Sequence, residues 1–353
     1  MAAAAVATSA SASLPMRALG RTWETTEVAD GVQSVKKRIA LMPSGSGRMV
    51  KPEADPFLLL SEDWIEKPLG FEAHPHRGFE TVSIVFNGAL EHKDYSRRTK
   101  GTSAVVRGLD VQWMRCGRGI VHSEMPADDS TTHMLQLWVN LPSRLKMSKP
   151  GHAEHGRSDI PVLDLGAGYA ARVIAGPASG ATGAARTIHP VTILDVTRGG
   201  LDGGIPGADG AGEGPGAGWR KGDKSTADAE AEIVLPASFN GFLYAVTGDW
   251  SVGGKALPRG FAGMLPPAKP AAGAGAGASG AAADVDAAGE AETTGAPGPQ
   301  SRLVLRLTSR AKGRALVFLG EPIAEPVAMA GPFVMNTEAQ LHQAFADYRA
   351  GKF

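Results

Sequence analysis

A chain of 353 residues is long enough for two domains that each bury a core. Its 36 basic residues are balanced by 36 acidic ones, which argues against binding nucleic acid or a membrane surface through bulk charge. The single cysteine, Cys116, excludes an intrachain disulfide and suits a reducing, intracellular compartment. No apolar run approaches the ~18–20 residues of a membrane-spanning helix, so a soluble protein is expected.

Residues 1–25 form an Ala/Ser-rich opening stretch with Arg17 and Arg21 and no acidic residue before Glu24. Two readings fit it: an organelle transit peptide over residues 1–20, or a disordered extension. Without a targeting role the chain belongs in the cytoplasm or nucleus.

Residues 26–165 read as short strands separated by turns. Phe57-Leu58-Leu59-Leu60 and Thr81-Val82-Ser83-Ile84-Val85-Phe86 are strand-like, and Asn87-Gly88 marks a tight hairpin. Val111-Gln112-Trp113-Met114 and Leu135-Gln136-Leu137-Trp138-Val139 alternate like half-buried strands. The pattern predicts an all-β sandwich or small barrel. Residues 166–335 form a second β block, with strands at 192–196, 242–246, 303–307 and 316–319. Its Thr247-Gly248-Asp249 turn echoes Asn87-Gly88-Ala89, which suggests a duplicated domain. Ala/Gly-rich insertions at about 199–222 and 266–299 lack the large apolar side chains that offset ordering entropy and are expected to be flexible. Over residues 336–353, Leu341, Phe345 and Tyr348 share one helical face behind an N-cap at Asn336 or Thr337.

The chemistry concentrates in two short motifs, His74-Pro75-His76 and His122-Ser123-Glu124. In a strand, residues i and i+2 point to the same face, so each motif can aim two ligand-type side chains at one point. Three imidazoles and a carboxylate suit iron(II), manganese, nickel or zinc. Seven of the nine histidines (74, 76, 92, 122, 133, 152 and 155) fall in the first β block, so a single metal is expected there and none in the second.

His74-Pro-His-Arg-Gly-Phe-Glu80-Thr, Gly117-Arg-Gly-Ile-Val-His-Ser-Glu124-Met-Pro, Leu135-Gln-Leu-Trp-Val-Asn-Leu-Pro142 and Gly331-Pro-Phe-Val-Met-Asn336 together resemble the signatures of the pirin family. The resemblance runs from about Phe57 to Tyr348. It implies a bicupin, two antiparallel β-barrels face to face, with one non-haem metal in the N-terminal barrel. The implied ligands are His74, His76, His122 and Glu124, and the implied metal is iron(II), with manganese, nickel and zinc as alternatives. Glu80, where many other cupins place a carboxylate ligand, would stand behind them. The family includes proteins similar to quercetin 2,3-dioxygenase, which implies a flavonol-like aromatic substrate, dioxygen, and Glu124 as ligand and proton acceptor. The alternative is an iron-dependent, redox-sensing transcriptional co-regulator that binds a transcription factor without turnover. Arg97-Arg98-Thr99-Lys100 is the one basic cluster that could serve it, and otherwise reads as a solvated hairpin loop. A monomer is expected.

Other residues take plainer readings. Gln112, Glu80 or backbone carbonyls are candidates to orient the imidazoles. His92 and His133 are expected to be ordinary surface or hydrogen-bonded core histidines, although either could line the pocket, and Phe79, Trp113, Met125 and Trp138 barrel core rather than a stacking platform for substrate. Cys116 is expected to be a buried filler, and Arg77 to pair with Glu80 or line the cavity mouth. Arg107-Gly108-Leu109-Asp110 and Arg115-Cys116 depart from the family pattern, so the loops near the ligands are expected to differ.

Overall fold

A computed structural model describes residues 14–29, 36–44, 48–96, 101–202, 205, 229–268, 298–308 and 312–353. The Arg97–Lys100 cluster and most of both Ala/Gly-rich insertions lie outside these residues. The chain divides into two compact units. Each is built on a seven-stranded and a four-stranded antiparallel sheet, a two-sheet jelly roll rather than a barrel closed by continuous hydrogen bonding.

In the N-terminal unit the large sheet runs Gly151–His155, Val111–Arg115, Phe79–Asn87, Thr132–Asn140, Phe57–Ile65, Lys36–Leu41 and Thr26–Ala29. The small sheet runs Phe71–His76, Ile120–Pro126, Ala89–Asp94 and Ser103–Arg107. Phe79–Asn87 is buried through all but its last residue, as a central strand covered on both faces requires. It ends at the predicted turn. Gly88 has φ +76°, and a Cβ there would lie 2.8 Å from the Thr131 carbonyl oxygen, so only glycine closes this hairpin.

The C-terminal unit repeats this plan. Its large sheet runs Thr22–Glu24, Phe261–Leu265, Asn240–Thr247, Gly313–Gly320, Val191–Arg198, Tyr169–Ala175 and Val162–Gly166. Its small sheet runs Ala231–Pro236, Gln300–Leu307, Trp250–Val252 and Lys255–Leu257. The predicted duplication can be followed residue by residue in the register. His122 pairs with His74 in one unit as Leu303 pairs with Ile233 in the other. Glu124 opposite His92 matches Leu305 opposite Val252, and Gln136 opposite Ser83 matches Val317 opposite Leu243.

The cores differ accordingly. The C-terminal unit holds one continuous apolar cluster that includes Ile233, Leu235, Leu243, Val252, Leu303, Leu305 and Val317. The N-terminal unit has smaller separate clusters, one around Phe79, Met114 and Ile120 and another around Ile65, Val85 and Met134.

Two expected boundaries move. Residues 14–23, assigned to the extension, belong to the C-terminal unit. Arg17 is fully buried there; its Nε donates to Ser301 Oγ at 2.9 Å and its Nη1 to the Phe239 and Pro266 carbonyls at 3.0 and 2.8 Å. Its Nη2 donates to the carbonyls of Pro236 and Ala237. A guanidinium with five donors is thus an interior cross-link here. Residues 322–335, assigned to the second block, belong to the N-terminal unit. There Val327–Ala330 pairs with Met49–Val50 and with Phe333–Met335. The helix Glu338–Arg349 starts at Thr337, whose hydroxyl accepts from Gln340 N while the Gln340 side chain accepts from Thr337 N. This is a capping box. No helix among the described residues is long and apolar enough to cross a membrane.

Candidate metal centre

The two histidine motifs become neighbours because Phe71–His76 and Ile120–Pro126 pair antiparallel, His122 opposite His74 and Ile120 opposite His76. One ring nitrogen from each of His74, His76 and His122 lies within 4.8 Å of the other two. Ring centroids are 4.4 Å apart for His74–His122, 4.7 Å for His74–His76 and 5.0 Å for His76–His122. His122 is 0% exposed and His76 4%, while His74 is half-buried, so the cluster is reached from the His74 side.

Backbone carbonyls orient two of the rings. His74 Nδ1 donates to the Glu72 carbonyl at 2.7 Å, which leaves Nε2 as the free base. His76 Nδ1 faces the Pro332 carbonyl at 3.4 Å. Both His122 nitrogens are buried without a hydrogen-bond partner among the described residues. Burial pushes His76 and His122 well below the usual imidazole range, and the neighbouring imidazoles add to it. His74 is lowered too, first by burial. Neutral, convergent imidazoles with one ring otherwise unsatisfied are what a divalent metal requires, so the residues fit the expected group.

Glu124 stands outside the three-histidine set. A register shift between His122 and Glu124 brings it opposite Phe71. Its Oε1 accepts from Ser83 Oγ at 2.9 Å and its Oε2 from Gln136 Nε2 at 2.8 Å. Burial raises its carboxyl pKa, and these two hydrogen bonds oppose the rise. Each carboxylate oxygen has a second lone-pair direction, so the grip leaves Glu124 with acceptor capacity. Ser83 and Gln136 were not singled out in the sequence, although alternation along their strands places both on the inward face.

Glu80 does not back the ligands. It lies an odd number of residues from Ser83 on the same strand and so faces the other side of the sheet. There it is 3.6 Å from Arg115 Nε, and burial pushes its carboxyl up to about 7. Gln112 donates to Glu154 at 2.9 Å and orients no ligand. Arg77 does not pair with Glu80, which sits beside Arg115 instead. It donates to Asp347 at 2.9 Å and to the Arg118 carbonyl at 2.7 Å, under the Phe353 ring at 4.3 Å. Gly78, next in sequence, packs so tightly that a Cβ would lie 1.9 Å from the Val334 carbonyl oxygen.

Phe79 is core as expected and Trp138 is half-buried against that core; both also wall the site, with centroids 5.1 and 5.4 Å from His76. Cys116 is a buried filler whose thiol pKa is raised well up by burial. His133 pairs with Glu62 at 2.8 Å and stacks on Trp64. His92 departs from the ordinary hydrogen-bonded reading: it is fully buried, neither ring nitrogen has a partner among the described residues, and its centroid is 5.0 Å from that of His122. Counting in twos from Leu90, just past the Asn87-Gly88 turn, would have pointed it inward.

A jelly-roll pair with three inward histidines in one unit defines a bicupin. The Pirin family model matches residues 40–139, and the Pirin C-terminal cupin domain model matches residues 276–353. A pirin-like protein of Solanum lycopersicum is 34% identical over 318 residues, covering 89% of this chain and 87% of the relative. Human pirin is 31% identical over 307 residues, covering 87% and 85%. The chain belongs to the pirin family. Among solved structures, a quercetin 2,3-dioxygenase of Acinetobacter baumannii superposes with a TM-score of 0.70 at 25% identity, covering 96% of this chain and 98% of that one. An Escherichia coli pirin in complex with nickel(II) superposes at 0.54 with 15% identity, covering 87% and 100%, a likeness of fold alone.

Proposed function

We propose that this protein is a metal-dependent dioxygenase of the quercetinase type, acting on a flavonol-like aromatic substrate. The observation that carries the reading is the convergence of three neutral imidazoles, one of them buried with both nitrogens unpartnered. The likeness to the Acinetobacter quercetin 2,3-dioxygenase, which extends along nearly the whole of both chains, supports the choice of chemistry.

His74, His76 and His122 hold one divalent metal, iron(II) in the first instance, and Glu124 completes the set. Manganese, nickel and zinc suit the same donors. When bound, such a metal supplies Lewis acidity and open coordination positions for substrate and dioxygen. The Glu72 carbonyl keeps His74 Nε2 turned inward, and Phe79 and Trp138 keep water from the His76 side. Glu124, held at a fixed angle by Ser83 and Gln136, takes the proton of the substrate hydroxyl.

The test is aerobic quercetin consumption by protein reconstituted with iron(II) or manganese(II), beside a His122→Ala control with measured metal content. Turnover in the wild type that disappears in the control is expected. Full metal occupancy without turnover would overturn the dioxygenase reading in favour of a metal-bearing partner-binding protein.

A further inference from the structure

Beside the three ligands the N-terminal unit buries a fourth imidazole that neither the fold nor the ligand set uses. His92 is 0% exposed and lies on Ala89–Asp94, opposite Glu124 in the ladder. Its ring is held between those of His122 and His152, with centroids 5.0 and 5.1 Å away. His152 is committed elsewhere: its Nδ1 pairs with Glu154 at 2.7 Å and its Nε2 with Thr102 Oγ1 at 2.6 Å. The ring contacts therefore fix where His92 sits without satisfying either of its nitrogens. Leaving a buried donor or acceptor unmet costs about 1–3 kcal/mol, and most buried polar atoms in folded chains are paired. The jelly roll does not need the imidazole, since the C-terminal unit carries Val252 at the matching rung. Nor does His92 fall within the set of ligand atoms that lie inside 4.8 Å of one another. It is one ring removed from them, its centroid 5.0 Å from that of His122.

We propose that His92 is the hydrogen-bonding residue for the small exogenous ligand that enters the N-terminal jelly roll beside His74, His76 and His122. A neutral imidazole offers one N–H donor and one acceptor. The ligand class this fits is a small anion or a polar diatomic with an acceptor atom turned toward His92. The inference rests on the metal reading above.

The experiment titrates azide into cobalt(II)-loaded wild type, His92→Phe and His92→Gln, following the visible absorption of the metal, with cobalt content measured on every sample. Phe keeps a ring of similar shape without nitrogens; Gln keeps a donor. Equal cobalt content is expected throughout, with azide binding about tenfold weaker in His92→Phe, the loss of one hydrogen bond to a charged group, and largely restored in His92→Gln. Unchanged azide binding in His92→Phe at equal cobalt content would overturn the inference, and so would loss of cobalt, which would make His92 a metal-holding residue. If thermal melting shows that Phe is not accommodated, His92→Val imports the residue of the C-terminal unit and is read by the same outcomes. Failure of the wild type itself to take up cobalt would instead overturn the metal reading.

Discussion

The two jelly rolls share a strand plan and differ in what they put inside. Where the N-terminal unit has His74, His76, Ser83, His92, His122, Glu124 and Gln136, the matching rungs of the C-terminal unit carry Ile233, Leu235, Leu243, Val252, Leu303, Leu305 and Val317. All seven of the latter lie in one apolar cluster. The C-terminal unit shows what this fold asks of its interior, which is close-packed aliphatic side chains. The polar set is therefore a departure from the fold's own needs, and it costs stability wherever a buried atom goes unpaired. The same backbone encloses a sealed aliphatic core in one half and a polar, histidine-lined interior in the other.

The comparison can be broken most severely at His122. Replacing it by Leu, the residue at the matching rung, should abolish metal uptake measured by elemental analysis. It should also raise the urea-unfolding stability of the metal-free protein by about 1–3 kcal/mol, because two unpaired buried nitrogens are removed. Stoichiometric metal in this variant would sink the ligand assignment.

Glu80 tests whether the outward face of the same sheet follows different rules. Burial raises its carboxyl pKa from the ordinary 4.5 to about 7, so between these values the folded state holds the proton more tightly than the unfolded state. Its contribution to stability is complete below pH 4.5 and is lost as pH rises through 7. Stability of Glu80→Gln relative to wild type should therefore improve across that window, by up to about 3 kcal/mol at about 1.4 kcal/mol per pH unit. A pH-independent difference in denaturation curves would contradict the buried, protonated state.

Gln136→Val, again an import from the C-terminal unit, strips one donor from Glu124. Metal affinity by competitive chelation should fall about tenfold, as when a residue behind a ligand is lost, while the fold persists. No change in affinity would mean that Glu124 acts without this grip. The smallest effect is expected outside both interiors. Thr337→Ala removes the helix cap and should cost about 1 kcal/mol, seen as a lower midpoint in chemical denaturation without change in metal content.

Local features were the legible ones. The Asn87-Gly88 hairpin, the alternating strands, the capped helix and both histidine motifs depend on residues close in sequence, and the family signatures reinforced them. Features set by distant partners were not legible. Arg17 reads in the sequence as a basic residue of an Ala/Ser-rich extension or transit peptide because its acceptors lie beyond residue 235. Ser83 and Gln136 meet Glu124 only when the two sheets close on each other. Glu80 illustrates a different gap: a motif position borrowed from other cupins suggested a place beside the ligands, while strand parity from Ser83 turned it to the opposite face. His92 was legible in principle by the same parity, but a lone histidine carries little signal until its neighbours are seen.

The involvement of residues 332–353 in the N-terminal unit bears on the order in which a ribosome delivers the parts. His76 faces the Pro332 carbonyl, Gly78 packs on Val334, and Arg77 is held by Asp347 and Phe353. Chains generally fold from the N-terminus as they emerge, yet here the histidine strand is in place early and its supports arrive after the whole C-terminal unit has been synthesised. Metal loading should accordingly be a late event in biogenesis. Nascent chains halted before residue 332 should retain metal poorly, even though every histidine of the triad has already emerged.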